Sequence, residues 1–119
     1  FYEKLGIGTI QDMMTNKDAP PGAQYDPARA DNVMHATLRI GESTVMAWDM
    51  PEGWYKKPQG YNIYLPAPTV AEAERLFAAL SEGGEVQMPL EKTFWAERFG
   101  ACVDRFGIPW MIGVDPQPA

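Results

Sequence analysis

His35 is the chain's one histidine, and imidazole is the side chain whose ordinary pKa lets it exchange a proton near neutral pH. It falls in a stretch, Val33–Ile40, that alternates strictly. Met34, Ala36, Leu38 and Ile40 share one face, and His35, Thr37 and Arg39 the other. Asp49 lies on the returning segment of the same hairpin and is expected close to His35. Two chemistries suit such a pair. A divalent cation held by imidazole and carboxylate is one. A hydrogen-bonded pair inside a pocket is the other, and it is favoured because sequestered polar groups take partners. As a general base, His35 has no visible nucleophile or oxyanion site to serve.

Arginines and aromatics form the second group. Arg39 and Arg98, if both point into the cup of a curved sheet, suit a carboxylate or phosphate ligand. Pairing with local acids such as Glu97 or Asp104 would instead leave Arg39, Arg98 and Arg105 as surface or rim residues, and this is the commoner arrangement. Phe94, Trp95 and Phe99 either line a small-molecule pocket or close the open end of a sheet. Cys102 reads as a small apolar strand residue rather than a reactive thiol.

These residues need elements to hold them. Phe1–Gly6 resembles the last turn of a helix closed by glycine, so an upstream segment is expected before it. Ile7–Met14 is a weak strand interrupted by Gly8, and 16–32 is a Pro- and Gly-rich loop, long enough to cover something. Val33–Ile40, a tight turn at Gly41-Glu42 and Ser43–Met50 make a hairpin. The stretch 51–60 is the natural linker, after which Tyr61–Leu65 is a strand. Thr69 and Glu72 have the spacing of a capping box, and Ala73, Leu76, Phe77 and Leu80 form a helical stripe that Gly83-Gly84 ends. Val86, Met88 and Leu90 alternate with polar positions, while Pro89 assigns that strand to an edge or a bulge. Ala101, Val103 and Phe106 continue as a strand, Asp104–Gly107 is a turn, and Ile108–Val114 is the last strand of an antiparallel meander. Residues 61–119 thus read as a βαβββ unit. Residues 1–50 read as the same unit without its opening strand, the two together making one domain.

Composition narrows the functional classes. With 45% hydrophobic residues, the 119-residue chain can build a core. Its net charge of −6, with scattered basic residues, excludes a nucleic-acid surface. A single cysteine excludes an internal disulfide and a Cys-rich zinc module. No apolar run approaches the roughly 18 residues of a membrane span. A soluble cytoplasmic protein with no nucleic-acid or membrane partner is expected.

The motifs carry a resemblance. Val33-Met34-His35-Ala36 with Leu38-Arg39-Ile40-Gly41, Val45-Met46 with Asp49, and Ala71-Glu72-Ala73 with Phe77 are joined by Met88-Pro89-Leu90 and Phe94-Trp95. Arg98-Phe99-Gly100 and Asp104-Arg105-Phe106-Gly107 with Trp110 complete the set. Together they resemble the PhnB-like branch of the glyoxalase/bleomycin-resistance/extradiol-dioxygenase (vicinal oxygen chelate) superfamily. Members of this branch are often labelled demethylubiquinone methyltransferase-like, but no glycine-rich methyl-donor fingerprint is present, and methyltransferase activity is not expected. The resemblance implies an α+β fold of paired βαβββ modules, a homodimer, and a pocket beside Trp95 and Arg98. It also implies a metal held from four strands. The matching positions are the unseen opening strand and those near Ala47, Asn62 and Met111, which offer an alanine, an amide and a thioether.

The expectation is therefore a metal-free, small-molecule binding domain without cofactor. Its ligand, small and anionic or aromatic, would be held near His35, Arg39, Asp49, Phe94, Trp95 and Arg98. The alternative is a divalent-metal-dependent lyase, isomerase or dioxygenase that uses Asp49, His35 and an upstream ligand. A third reading is an interaction partner with no small ligand.

Overall fold

The computed structural model describes residues 1–51 and 53–116. The chain divides into two compact units, Phe1–Tyr55 and Lys56–Ala119. The architecture is α+β.

In the first unit, strands β1 (Thr9–Thr15), β2 (Val33–Ile40) and β3 (Ser43–Ala47) form an antiparallel sheet in the order β1-β2-β3. Ile40 pairs with Ser43, so Gly41-Glu42 is the two-residue hairpin turn, with Gly41 at φ 59° as such turns require. The segment ahead of β1 is a run of turns rather than a helix: Leu5 N–H reaches Phe1 O and Gly6 N–H reaches Glu3 O. The return strand stops at Ala47, three residues short of Met50, because Asp49 N–H turns to donate to Val33 O at 2.8 Å. The long loop is closed at its neck. Asn16 N–H donates to Asn32 O and Lys17 N–H to Ala30 O, with a Lys17–Asp31 ion pair beside them. Short 3-10 turns at Asn16–Asp18 and Pro27–Arg29 shape it further.

The second unit is a βαβββ module. Strand β4 (Ile63–Pro66) is followed by α1 (Val70–Ser81), β5 (Glu85–Glu91), β6 (Arg98–Val103) and β7 (Pro109–Val114). The sheet order is β4-β7-β6-β5, with β4 parallel to β7 and the other pairs antiparallel. Pro89 does lie on an edge strand, and that strand also carries register shifts around Met88. Phe106 belongs to the β6–β7 turn and is exposed, not to a strand.

Helix α1 begins where Thr69 Oγ1 accepts Glu72 N–H at 3.1 Å. The capping box is only half made, since the Glu72 carboxylate accepts from Arg75 Nε instead. Ala73, Leu76 and Leu80 are buried. Phe77 is half-buried, its ring lying against Gly100, where an added Cβ would stand 2.9 Å from the Phe77 edge. Gly100 therefore faces the helix. So do its cross-strand partner Ile112, that residue's partner Leu65, and the Cys102–Trp110 pair two residues along. All four of those side chains are buried. Gly84, past the helix end, allows a still closer approach, for a Cβ there would lie 2.0 Å from Val103 O.

One buried acid organises the β6–β7 turn. Asp104, 2% exposed, accepts from Phe106 N–H at 2.8 Å and Ile108 N–H at 3.0 Å on one oxygen. Its other oxygen accepts the Trp110 indole N–H at 2.9 Å. Burial, and then the Asp104 charge, push the Cys102 thiol from 9.0 up to about 11.

Asp104→Ala removes the acceptor of one buried and two part-buried donors and is expected to cost about 3 kcal/mol or more in urea unfolding. Trp110→Phe, which removes a single donor, is expected to cost less. Native Cys102 should resist a thiol-specific reagent at pH 8 and react fully in denaturant. Because its pKa is raised on folding, its stability contribution is intact below about pH 9 and falls as pH rises toward 11.

Candidate functional site

His35 lies on β2, the central strand of its sheet, and meets β1 rather than the hairpin return. Asp12 pairs opposite Thr37, which sets its carboxylate diagonally across from His35. His35 Nδ1 is 3.5 Å from Asp12 Oδ1. The expected His35–Asp49 pair is thus replaced by His35–Asp12. Asp49 lies beyond the end of β3, where its carboxylate accepts Val33 N–H at 2.7 Å. With the Asp49 N–H to Val33 O bond, Asp49 clasps the open end of the hairpin in both directions. Arg39 is exposed, and its Nε donates to Gly41 O at 3.1 Å.

Next to the Asp49 clasp is a cavity of about 430 Å³. One wall comes from the long loop, through Gln24, Tyr25, Asp26 and Arg29, and the other from Met34, Trp48, Asp49 and Trp54. Tyr25, Trp48 and Trp54 keep 42%, 59% and 70% of their surface exposed, so their rings are available to a ligand. Asp26 accepts Ala28 N–H and stands 4.0 Å from Arg29 Nε. The Trp48 indole N–H donates to Met50 Sδ. Asp49 is the one sequence-derived candidate in this cavity. In the sequence, Tyr25 and Trp54 lie in segments that read as loop and linker, and Trp48 reads as an ordinary strand residue. Three aromatic rings in or beside Pro-rich loops were the available signal.

The remaining candidates belong to the second unit. Phe94 is almost fully exposed, and its ring meets Trp95 edge-on at 4.8 Å, as Trp95 meets Phe99 at 5.5 Å. Arg98 Nη1 donates to Glu97 O at 2.7 Å and lies 3.5 Å from the Glu97 carboxylate. Its guanidinium is engaged by the local acid. A polar cavity of about 320 Å³ lies at the β5–β7 end of this unit, with Lys57, Asn62, Glu85 and Gln87 in its lining. The Asn62 Nδ2 is buried there without a hydrogen-bond partner.

A hard divalent cation needs several oxygen or nitrogen ligands converging on one point. Among the described residues no three His, Cys, Asp or Glu side chains do so. Asn62 points a donor nitrogen into its buried site, and Met111, paired with Tyr64 on β7, offers a soft thioether. These residues do not fit the superfamily's metal.

The sequence model of the Glyoxalase/Bleomycin resistance protein/Dioxygenase superfamily matches residues 1–112. The chain belongs to that superfamily. It is 38% identical to protein YjdN of Escherichia coli over 102 residues, spanning 85% of this chain and 67% of YjdN. It is 33% identical to the uncharacterised protein Mb0911c of Mycobacterium bovis over 97 residues, spanning 73% of this chain and 62% of that relative. Among solved structures, protein PA1353 from Pseudomonas aeruginosa superposes with a TM-score of 0.86 at 42% identity, over 98% of this chain and 84% of that one. A PhnB protein from Bacillus cereus has the same fold, with a TM-score of 0.74 at 22% identity over 95% of this chain and 84% of that one. The superfamily is thus shown, and the likeness to the PhnB protein is one of fold. No helix among the described residues is long and apolar enough to cross a membrane.

The clasp makes its own prediction. Asp49→Ala, which removes the acceptor of Val33 N–H at an exposed position, is expected to lower unfolding free energy by about 0.5–1.5 kcal/mol. Asp49→Asn keeps an acceptor oxygen there and should cost appreciably less in the same measurement.

Proposed function

We propose that this superfamily member binds a small organic molecule without the superfamily's metal chemistry, and that the ligand sits in the cavity between the long loop and the Asp49 clasp. The observation that carries this reading is the cavity itself. Its volume of about 430 Å³ falls within the range of about 300–1,000 Å³ common to small-molecule sites, and it has the usual aromatic walls with a few polar groups. The Arg39 and Arg98 pair gives less support to an anionic ligand. These residues lie on different units, and Arg98 is already engaged by Glu97. The failure of the described residues to assemble a trio of metal ligands favours binding over oxygen-chelate catalysis.

Thermal unfolding of the protein against a panel of small aromatic and heteroatom-bearing compounds tests the proposal, with zinc, nickel, manganese and iron(II) as parallel additions. A true ligand raises the midpoint progressively with its concentration. The expected result is stabilisation by organic compounds that Trp48→Ala removes, and no concentration-dependent shift with any of the metals. A metal-induced shift lost in His35→Ala or Asp49→Asn would restore the metal-dependent lyase, isomerase or dioxygenase reading.

A further inference from the structure

The cavity lining has a chemical bias. Among the described residues the lining holds two carboxylates, Asp26 and Asp49, one guanidinium, that of Arg29, and no lysine or histidine. Arg29 stands 4.0 Å from Asp26, so this guanidinium already has an acid of its own loop beside it. That leaves Asp49, which makes no ion pair among the described residues and whose carboxylate accepts the Val33 amide N–H. Around this carboxylate stand three electron-rich rings, Tyr25, Trp48 and Trp54, each with a large part of its surface open. Ring faces carry the negative end of the aromatic quadrupole, so such rings attract cations and repel anions. A neutral aromatic ligand would use the rings but leave the Asp49 charge unbalanced beside it. An anion would meet both the rings and Asp49 unfavourably.

From this we infer that the cavity selects an organic cation, an alkylated amine or quaternary ammonium group, held by Tyr25, Trp48 and Trp54 with Asp49 as counter-charge. The inference rests on the proposed binding role of the same cavity and adds the class of ligand. The apolar rings suit a cation whose charge is wrapped in methyl groups, because such an ion gives up little hydration on entering. Met34 contributes a polarisable thioether to the same wall.

Three probes of one shape and different charge separate the possibilities: choline, its uncharged isostere 3,3-dimethyl-1-butanol, and the anion 3,3-dimethylbutanoate. Each is titrated into the protein with tryptophan fluorescence and calorimetry as readouts. Choline is expected to bind about tenfold more tightly than the alcohol, and the carboxylate more weakly than either. Asp49→Asn keeps an acceptor for Val33 N–H while removing the charge. It should erase most of the choline preference and leave the alcohol's affinity nearly unchanged. Trp54→Ala, on an exposed loop ring, should weaken choline binding without lowering the unfolding midpoint.

Equal affinity for choline and the alcohol would overturn the cationic selectivity but leave the cavity as a binding site. Tightest binding of the carboxylate would overturn it in favour of Arg29. Binding of none of the three would overturn the inference, while the broader compound panel decides the binding role separately. If Trp54→Ala changes the oligomeric state instead of choline affinity, the rings form a subunit contact and the inference fails.

Discussion

The second unit depends on a charge placed where charges are expensive. Asp104 is almost wholly withdrawn from water, and a buried carboxylate persists only when donors surround it. Two backbone amides and the Trp110 indole meet that need. In doing so they fix the length of the β6–β7 turn and the rotamer of the largest core side chain. With Trp110 set, β7 presents Ile112 to the helix and holds β4 in parallel register at its other edge. The Leu76 and Leu80 stripe then closes over a surface whose shape is already determined. Removing the acid would therefore loosen the turn, the register and the core together.

The first unit has a different kind of constraint. Its sheet is small, and much of β1 is exposed, so backbone clasps do what burial does elsewhere. The loop neck at Asn16–Asn32 and the two-way Asp49–Val33 clasp adjoin each other at one end of the sheet. Tyr25 of the long loop and Trp48 and Trp54 beyond β3 line the cavity beside them. The same carboxylate that secures the hairpin supplies the cavity's unbalanced charge. The structural role and the proposed ligand-directed role thus fall on one residue, Asp49, and the conservative amide substitution separates them.

Much of this was legible in the sequence. The strand over Val33–Ile40, the Thr69 cap, the Ala73–Leu80 stripe and the edge position implied by Pro89 all follow from local rules, and the structure obeys them, although burial along Val33–Ile40 does not alternate. The family was legible from dispersed motifs. The partner of His35 was not, because the sequence does not reveal that β1 joins the hairpin on the histidine side, with Asp12 diagonal to it. The buried role of Asp104 was also hidden, since an Asp-x-x-Gly turn looks the same whether its acid faces water or a tryptophan. The cavity was the hardest to foresee. It depends on two loops meeting, and loop aromatics have no periodicity to betray their direction.

The most direct test of the central claim is a map of which tryptophans sense a bound ligand. The chain has four, Trp48, Trp54, Trp95 and Trp110, so the indole N–H region of a nitrogen-15 NMR spectrum contains one signal for each. Each is assigned by substitution and followed while choline is added. The account predicts saturable movement of the Trp48 and Trp54 signals, with Trp110, locked to Asp104, unmoved. Movement confined to Trp95 would contradict it and place the binding site beside Arg98 and Phe99 in the second unit.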